Sequence, residues 1–188
     1  MDQLLQLDLG ILQFLQLHLR NDLTDGLFLF ITRLGDLGLF WILLGVILLI
    51  RPKYRPWGVC LLCGLAFSSL LGEGLLKHLV ERTRPCVAFP IQNMLLPVPH
   101  TFSFPSGHTM SSFTAATILW QRDRKTGAAA LLLAGLIGFS RLFLYVHYPS
   151  DVLAGLILGV GCGLLSHWFF FRSAPGTQLL QKLPPSRS

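Results

Sequence analysis

Residues 57–77 read WGVCLLCGLAFSSLLGEGLLK, and the fold turns on whether these 21 positions cross a membrane. As an α-helix they reach about 31 Å at about 1.5 Å per residue, the thickness of a bilayer's hydrocarbon core. Only Glu73 and the terminal Lys77 carry charge within them. The same texture continues outward. LGLFWILLGVILLI runs to position 50, Ala128 to about Val146 and Val152 to Phe171 are apolar runs of helical length, and Gly107 to Gln121 reads as a helix by composition. Over 188 residues the hydrophobic share is 52% and the charged share 13%, where a soluble domain carries about a quarter charged residues. The 18 glycines and 11 prolines are spread through the apolar runs, which membrane helices tolerate. The class this predicts is an all-α integral membrane protein of about six transmembrane helices.

Residues 1–20, MDQLLQLDLGILQFLQLHLR, lack the basic start and unbroken apolar core of a signal peptide. They read as an amphipathic helix at the membrane interface. LFLFITRL and LGLFWILLGVILLI, parted by Gly35-Asp36, read as two helices, the first short. Pro85 ends any helix at or before Arg84, and the proline-rich stretch 86–105 is the only long loop. The expected division is an interfacial helix at 1–20, a membrane domain at 21–172 and a flexible tail at 173–188.

The formal charge of +6 is not arranged as a basic stripe with interleaved aromatics, which excludes a single-strand nucleic-acid binder. Cys60, Cys63 and Cys162 fall inside apolar runs, so with Cys86 they read as thiols and not as a disulfide framework. Arg51, Lys53, Arg55, Arg122, Arg124, Lys125 and Arg172 fall at ends that a helical weave puts on one side, expected to be cytoplasmic. The 86–105 loop and the HYPS turn then face outward from a bacterial inner membrane, or into the lumen of an organelle.

Three charged clusters fall at the outer helix ends, where ions are costly and functional by default. In KHLVERTRP (77–85), Lys77 and Arg84 are seven apart, two helical turns, so they project on one face and suit an anion with several oxygens. The plainer account has Lys77 snorkelling and paired with Glu81 or Glu73. FPSGHT (104–109) opens a helix: Pro105 fits the first turn, Ser106 offers a hydroxyl, Gly107 lets an anion approach free N–H groups, and His108 can deliver a proton. A simple capped helix start accounts for the same residues. SRLFLYVHYPSD (140–151) brings Arg141 and His147 to one helix end with Asp151 in the first turn of the next. A carboxylate on Nδ1 leaves a basic Nε2 on His147, although Asp151 also suits a helix cap. The histidine spacing does not suit zinc.

Together the runs K-x6-RP (77–85), PSGH (105–108) and SR-x5-H-x3-D (140–151) resemble the signature of the type 2 phosphatidic acid phosphatase superfamily. The resemblance implies a phosphatase that needs no metal or cofactor and passes through a phosphohistidine. His147 would attack phosphorus, Asp151 would orient it, and His108 would protonate the leaving oxygen and later activate water. Lys77, Arg84, Arg141, the Ser106 hydroxyl and the Gly107 N–H would hold the phosphoryl oxygens. Such a set supplies positioning and charge stabilisation, the main needs of phosphoryl transfer. The apolar spans argue against the soluble vanadate-dependent haloperoxidase branch.

The short chain resembles compact bacterial members, and the expected substrate is a lipid phosphate in the bilayer, with undecaprenyl diphosphate ahead of phosphatidylglycerophosphate or phosphatidic acid. Rivals from other classes are an anion or lipid transporter, with the three cations lining a path, and a catalytically silent lipid-binding scaffold. Oligomeric state leaves no trace in the sequence, and Glu73 has no assigned role.

Overall fold

A computed structural model describes residues 3–181 and 183, and among them every regular element is helical. The α-helices are α1 Gln3–His18, α2 Asp22–Leu34, α3 Leu39–Ile50, α4 Arg55–Ser69, α5 Lys77–Val80, α6 Pro85–Ala88, α7 Gly107–Arg122, α8 Arg124–Phe143, α9 Pro149–Arg172 and α10 Ala174–Gln181. A π-helical segment, Leu70–Leu76, joins α4 to α5, so residues 55–80 form one continuous pass.

Three stretches are long and apolar enough to cross a membrane: Pro52–Ala88, Arg124–Phe143 and Pro149–Arg172. The pair Asp22–Leu34 and Asp36–Ile50 makes a fourth, bent by 41° at its break. The break is a corner where Leu37 and Gly38 take left-handed angles, φ 53° and 65°. α7 is less apolar because it is central: it packs on α4, α8 and α9 and buries Ser112 and Thr114 inside the bundle. α2 and α3, expected as two helices with the first short, are two helices, and together they can make one bent span.

The passes sort the charges by end. Arg122 lies over the Tyr54 ring at 4.4 Å, and Trp57 stacks on Phe171 at 4.4 Å. The α3–α4 turn, the α7–α8 turn and the end of α9 therefore meet at one end, and the basic residues named above gather there. The three chemistry-bearing clusters lie at the other end.

Close packing of α7 on α9 sets the spacing between two of those clusters. α9 carries Gly155, Gly159 and Gly163 four apart against α7. A Cβ at Gly155 would sit 2.8 Å from the Ser106 carbonyl oxygen, and one at Gly159 would strike the Met110 carbonyl. Small residues let membrane helices approach in this way, and Thr114 Oγ1 donates across the gap to Gly159 O at 3.1 Å. The two helix starts are thereby locked together, with Ser106 N donating to Asp151 O at 3.2 Å.

α1 has three stripes. Asp8, Leu12 and Leu15 are buried, with Leu12 packed among Phe143, Leu144 and Val146. Leu4, Leu7, Ile11 and Phe14 form an exposed apolar stripe beside that face, and Gln3, Gln6 and Gln13 are exposed beyond it. The segment expected as a flexible tail opens with α10, which packs on α9; Lys182 and residues 184–188 lie outside the described residues.

Candidate active site

Lys77 and Arg84 reach one place by different routes. The helix expected to carry both stops at Val80, because Glu81 takes a left-handed φ of 49°, and Arg84 sits in extended backbone before α6. Their spacing of seven is therefore not two turns of one helix. Both converge on Thr101 of the long loop: its Oγ1 lies 3.5 Å from Lys77 Nζ and 2.9 Å from Arg84 Nη2, while its carbonyl accepts from Arg84 Nε at 2.7 Å. Of the two partners open to Lys77, the structure selects Glu73, at 2.7 Å from Nζ. Glu73 stands in the π-helical segment, a form that recurs at functional sites.

A cavity of about 630 Å³ opens here, lined by Lys77, Arg84, Gly107, His108, Arg141 and His147 together with Glu73. Its other walls include Ile42, Leu62, Leu65 and Ala66 from α3 and α4, so the polar end continues into an apolar groove. Six of the eight residues expected at the site thus line one cavity. The other two, Ser106 and Asp151, are both fully buried and lie behind its wall. Ser106 Oγ is within 2.9 Å of Thr109 Oγ1, and no capping bond to the α7 backbone is made. The hydroxyl expected on a phosphoryl oxygen therefore lies one layer below the cavity in this structure.

His147 follows the left-handed residue Tyr145 (φ 60°) in the link between α8 and α9, and it is 1% exposed. Arg84 Nη1 donates to its Nε2 at 3.0 Å and to Val146 O at 2.8 Å. A guanidinium only donates, so Nε2 is the unprotonated nitrogen and Nδ1 carries the proton. That proton faces Asp151 Oδ2 at 3.7 Å, an electrostatic contact longer than a hydrogen bond. Burial is the main reason the imidazole is pushed down to about 3, and the Arg84 and Arg141 charges add to it. His147 is thus held neutral in the cavity wall, its Nε2 lone pair taken by the Arg84 guanidinium. Asp151 is fixed by Ser103 Oγ at 2.5 Å, Tyr148 N at 3.0 Å and Arg82 Nη1 at 2.6 Å.

Arg141, 5% exposed, donates through Nη1 to Thr32 Oγ1, and its Nε is buried without a partner. An unpaired buried guanidinium N–H at a cavity wall suits an anion's oxygen. Across the cavity, His108 Nε2 lies 2.9 Å from Asp36 Oδ1. Gly35 permits this, since a Cβ there would stand 2.8 Å from the His108 ring. At Gly107 a Cβ would collide with the Glu73 carboxylate, so glycine lets that carboxylate lie over the start of α7. Among the described residues no three His, Cys, Asp or Glu side chains gather as metal ligands.

Sequence reasoning missed Asp36, Arg82, Asp8, Thr101, Ser103 and Thr32. Arg82 lay inside the quoted KHLVERTRP run, and Asp36 inside the Gly35-Asp36 break, which signalled a corner but no partner.

A helical membrane bundle whose cavity joins a neutral histidine, three cations and a second, carboxylate-paired histidine to an apolar groove has the parts that a membrane lipid phosphatase needs. The profile of the PAP2 superfamily matches residues 57–175, and the chain belongs to that superfamily. It is similar to the undecaprenyl-diphosphatase of Sulfolobus acidocaldarius, 32% identical over 143 residues, which cover 76% of this chain and 68% of that one. It is also similar to undecaprenyl-diphosphatase BcrC of Bacillus subtilis, 30% identical over 158 residues covering 81% and 76%. The crystal structure of the first transmembrane PAP2 type phosphatidylglycerolphosphate phosphatase from Bacillus subtilis superposes with a TM-score of 0.75 at 27% identity, covering 90% of this chain and 87% of that chain.

Proposed function

We propose that this lipid phosphatase hydrolyses the terminal phosphate of a polyprenyl diphosphate, with undecaprenyl diphosphate first, through a phosphohistidine on His147. The observation that carries the reading is the state of His147 in the wall of a cavity shared with Lys77, Arg84 and Arg141: Nε2 is its unprotonated nitrogen and is held by Arg84. In the first step Nε2 bonds to the terminal phosphorus, the bond to the bridging oxygen breaks, and that oxygen takes a proton from His108. The imidazole ring becomes cationic, which the buried Asp151 carboxylate beside Nδ1 stabilises. In the second step water attacks phosphorus, His108 accepts its proton, the P–N bond breaks, and orthophosphate leaves with His147 neutral again. No step calls on a metal ion.

Lys77, Arg84, the Arg141 Nε–H and the start of α7 at Gly107 hold the phosphoryl oxygens. The groove along Ile42, Leu62, Leu65 and Ala66 suits an apolar chain, which supports a lipid over a soluble ester. Two undecaprenyl-diphosphatases among the relatives support the polyprenyl headgroup. The structural likeness to a phosphatidylglycerolphosphate phosphatase favours that lipid as the second reading. The gathering of basic residues at the opposite end supports an active site facing outward from a bacterial inner membrane.

Phosphate release by the purified chain from undecaprenyl diphosphate, phosphatidylglycerophosphate, phosphatidic acid and a water-soluble phosphate monoester tests the reading. The polyprenyl diphosphate should turn over fastest. Equal rates on the soluble monoester contradict a lipid substrate.

A further inference from the structure

Asp8 is an ion where an interfacial helix needs none. It sits on α1 and is only 2% exposed. Its Oδ1 accepts from Ser150 N at 2.9 Å, and its Oδ2 accepts from Ser150 Oγ at 2.5 Å and from Arg82 Nη2 at 2.8 Å. The other arm of the same guanidinium, Nη1, donates to Asp151 Oδ1 at 2.6 Å and to Ser150 Oγ at 2.7 Å. The Arg82 plane rests over the Tyr148 ring, 3.9 Å from its centre. Arg82 therefore bridges a carboxylate on α1 to the carboxylate behind the histidine nucleophile.

The charge count gives this bridge a purpose. Arg82 paired with Asp151 alone would cancel the negative charge that a phosphorylated imidazolium needs beside it. With Asp8 sharing the guanidinium, two carboxylates and one cation carry a net charge of −1, which matches the +1 that develops on His147. Burial of the group makes that balance weigh more than it would in water. The bonds to Ser150 also fix the first turn of α9, where Asp151 stands.

We propose that Asp8 and Arg82 are positioning residues for Asp151, so that the N-terminal helix belongs to the catalytic apparatus. The proposal rests on His147 being the nucleophile. A carboxylate that only fastened α1 would change folding stability and leave turnover of the folded protein alone.

The test is steady-state phosphate release from undecaprenyl diphosphate in detergent micelles by wild type, Asp8→Asn, Arg82→Gln and the double variant, with a thermal midpoint for each. Asp8→Asn should lower kcat by roughly ten- to hundredfold with KM within about twofold, the scale of a displaced catalytic group. The double variant should lose less than the product of the two single losses, because Asp8 acts largely through Arg82. Should Asp8→Asn fold poorly, Arg82→Lys keeps the cation but cannot span both carboxylates, and its kcat should fall likewise. A folded Asp8→Asn or Arg82→Lys with wild-type kcat overturns the proposal, as do losses that multiply in the double variant. If wild type itself releases phosphate from none of the lipids, the functional reading fails and this proposal with it.

Discussion

Arg84 Nη1 donates to His147 Nε2 across 3.0 Å, so in the resting site a cation covers the lone pair of the proposed nucleophile. On the proposed mechanism a phosphoryl group enters between them, and Arg84 then has an oxygen to hold in place of the nitrogen. The exchange keeps every donor paired, which lowers the cost of opening the site. Arg84→Ala should reduce kcat by about 10²- to 10³-fold, the scale for removing one donor to a developing charge. Steady-state kinetics on undecaprenyl diphosphate checks this, and a change confined to KM would mean that Arg84 only binds the headgroup.

Asp36 faces His108 Nε2 at 2.9 Å and holds the ring toward the cavity. On the proposed mechanism a carboxylate there stabilises the protonated imidazole that would donate to the leaving oxygen. Asp36→Asn should slow turnover, while His108→Ala should cost more, up to about 10²- to 10⁴-fold for a lost general acid. The difference should widen on a phosphate monoester, whose alkoxide leaving group needs the proton more than a phosphate leaving group does. Equal effects on both substrates would place Asp36 outside proton transfer.

The contrast between Lys77 and Asp36 shows what was readable from the sequence. Lys77, Arg84, Arg141 and the two histidines stood out because ions and imidazoles are expensive in apolar runs, and their motifs are local. The route between Lys77 and Arg84 was misread, because nothing in VERTR announces that Glu81 turns left-handed. Asp36 and Asp8 carry no local motif: their partners lie 72 and 142 residues away, and only the bundle brings them together. The Gly35-Asp36 break was legible as parting two helices, but not the angle between them, since a Gly-Asp break looks the same whether the chain reverses or bends by 41°.

Glu73 lies against Lys77 at 2.7 Å and over Gly107, the place proposed for a phosphoryl oxygen. On that reading it is a resident anion that substrate displaces. Glu73→Gln should therefore bind vanadate several-fold more tightly, read as a lower inhibition constant. Weaker inhibition would show that Glu73 serves mainly to aim Lys77.

His147 should leave a mark on the pH dependence of stability. Its folded value of about 3 lies below the unfolded value near 6.5. Below about pH 6.5 the unfolded chain takes up a proton that the folded chain refuses, so stability is lost as pH falls from there toward 3. Above that window the group contributes no slope. Thermal midpoints in detergent should fall less steeply between pH 6.5 and 4 for His147→Asn than for wild type. Parallel curves would mean that His147 is not held neutral.

The most direct test of the account is to trap the intermediate. The protein is mixed with undecaprenyl diphosphate labelled in its terminal phosphate, in excess chelator, quenched in alkali and mapped by peptide mass. The account predicts an alkali-stable, acid-labile phosphate on His147, more of it in His108→Ala, where water is no longer activated, and none in His147→Ala, which should also lack turnover. Label on another residue, turnover by His147→Ala, or activity that stops with chelator and returns with magnesium would contradict it.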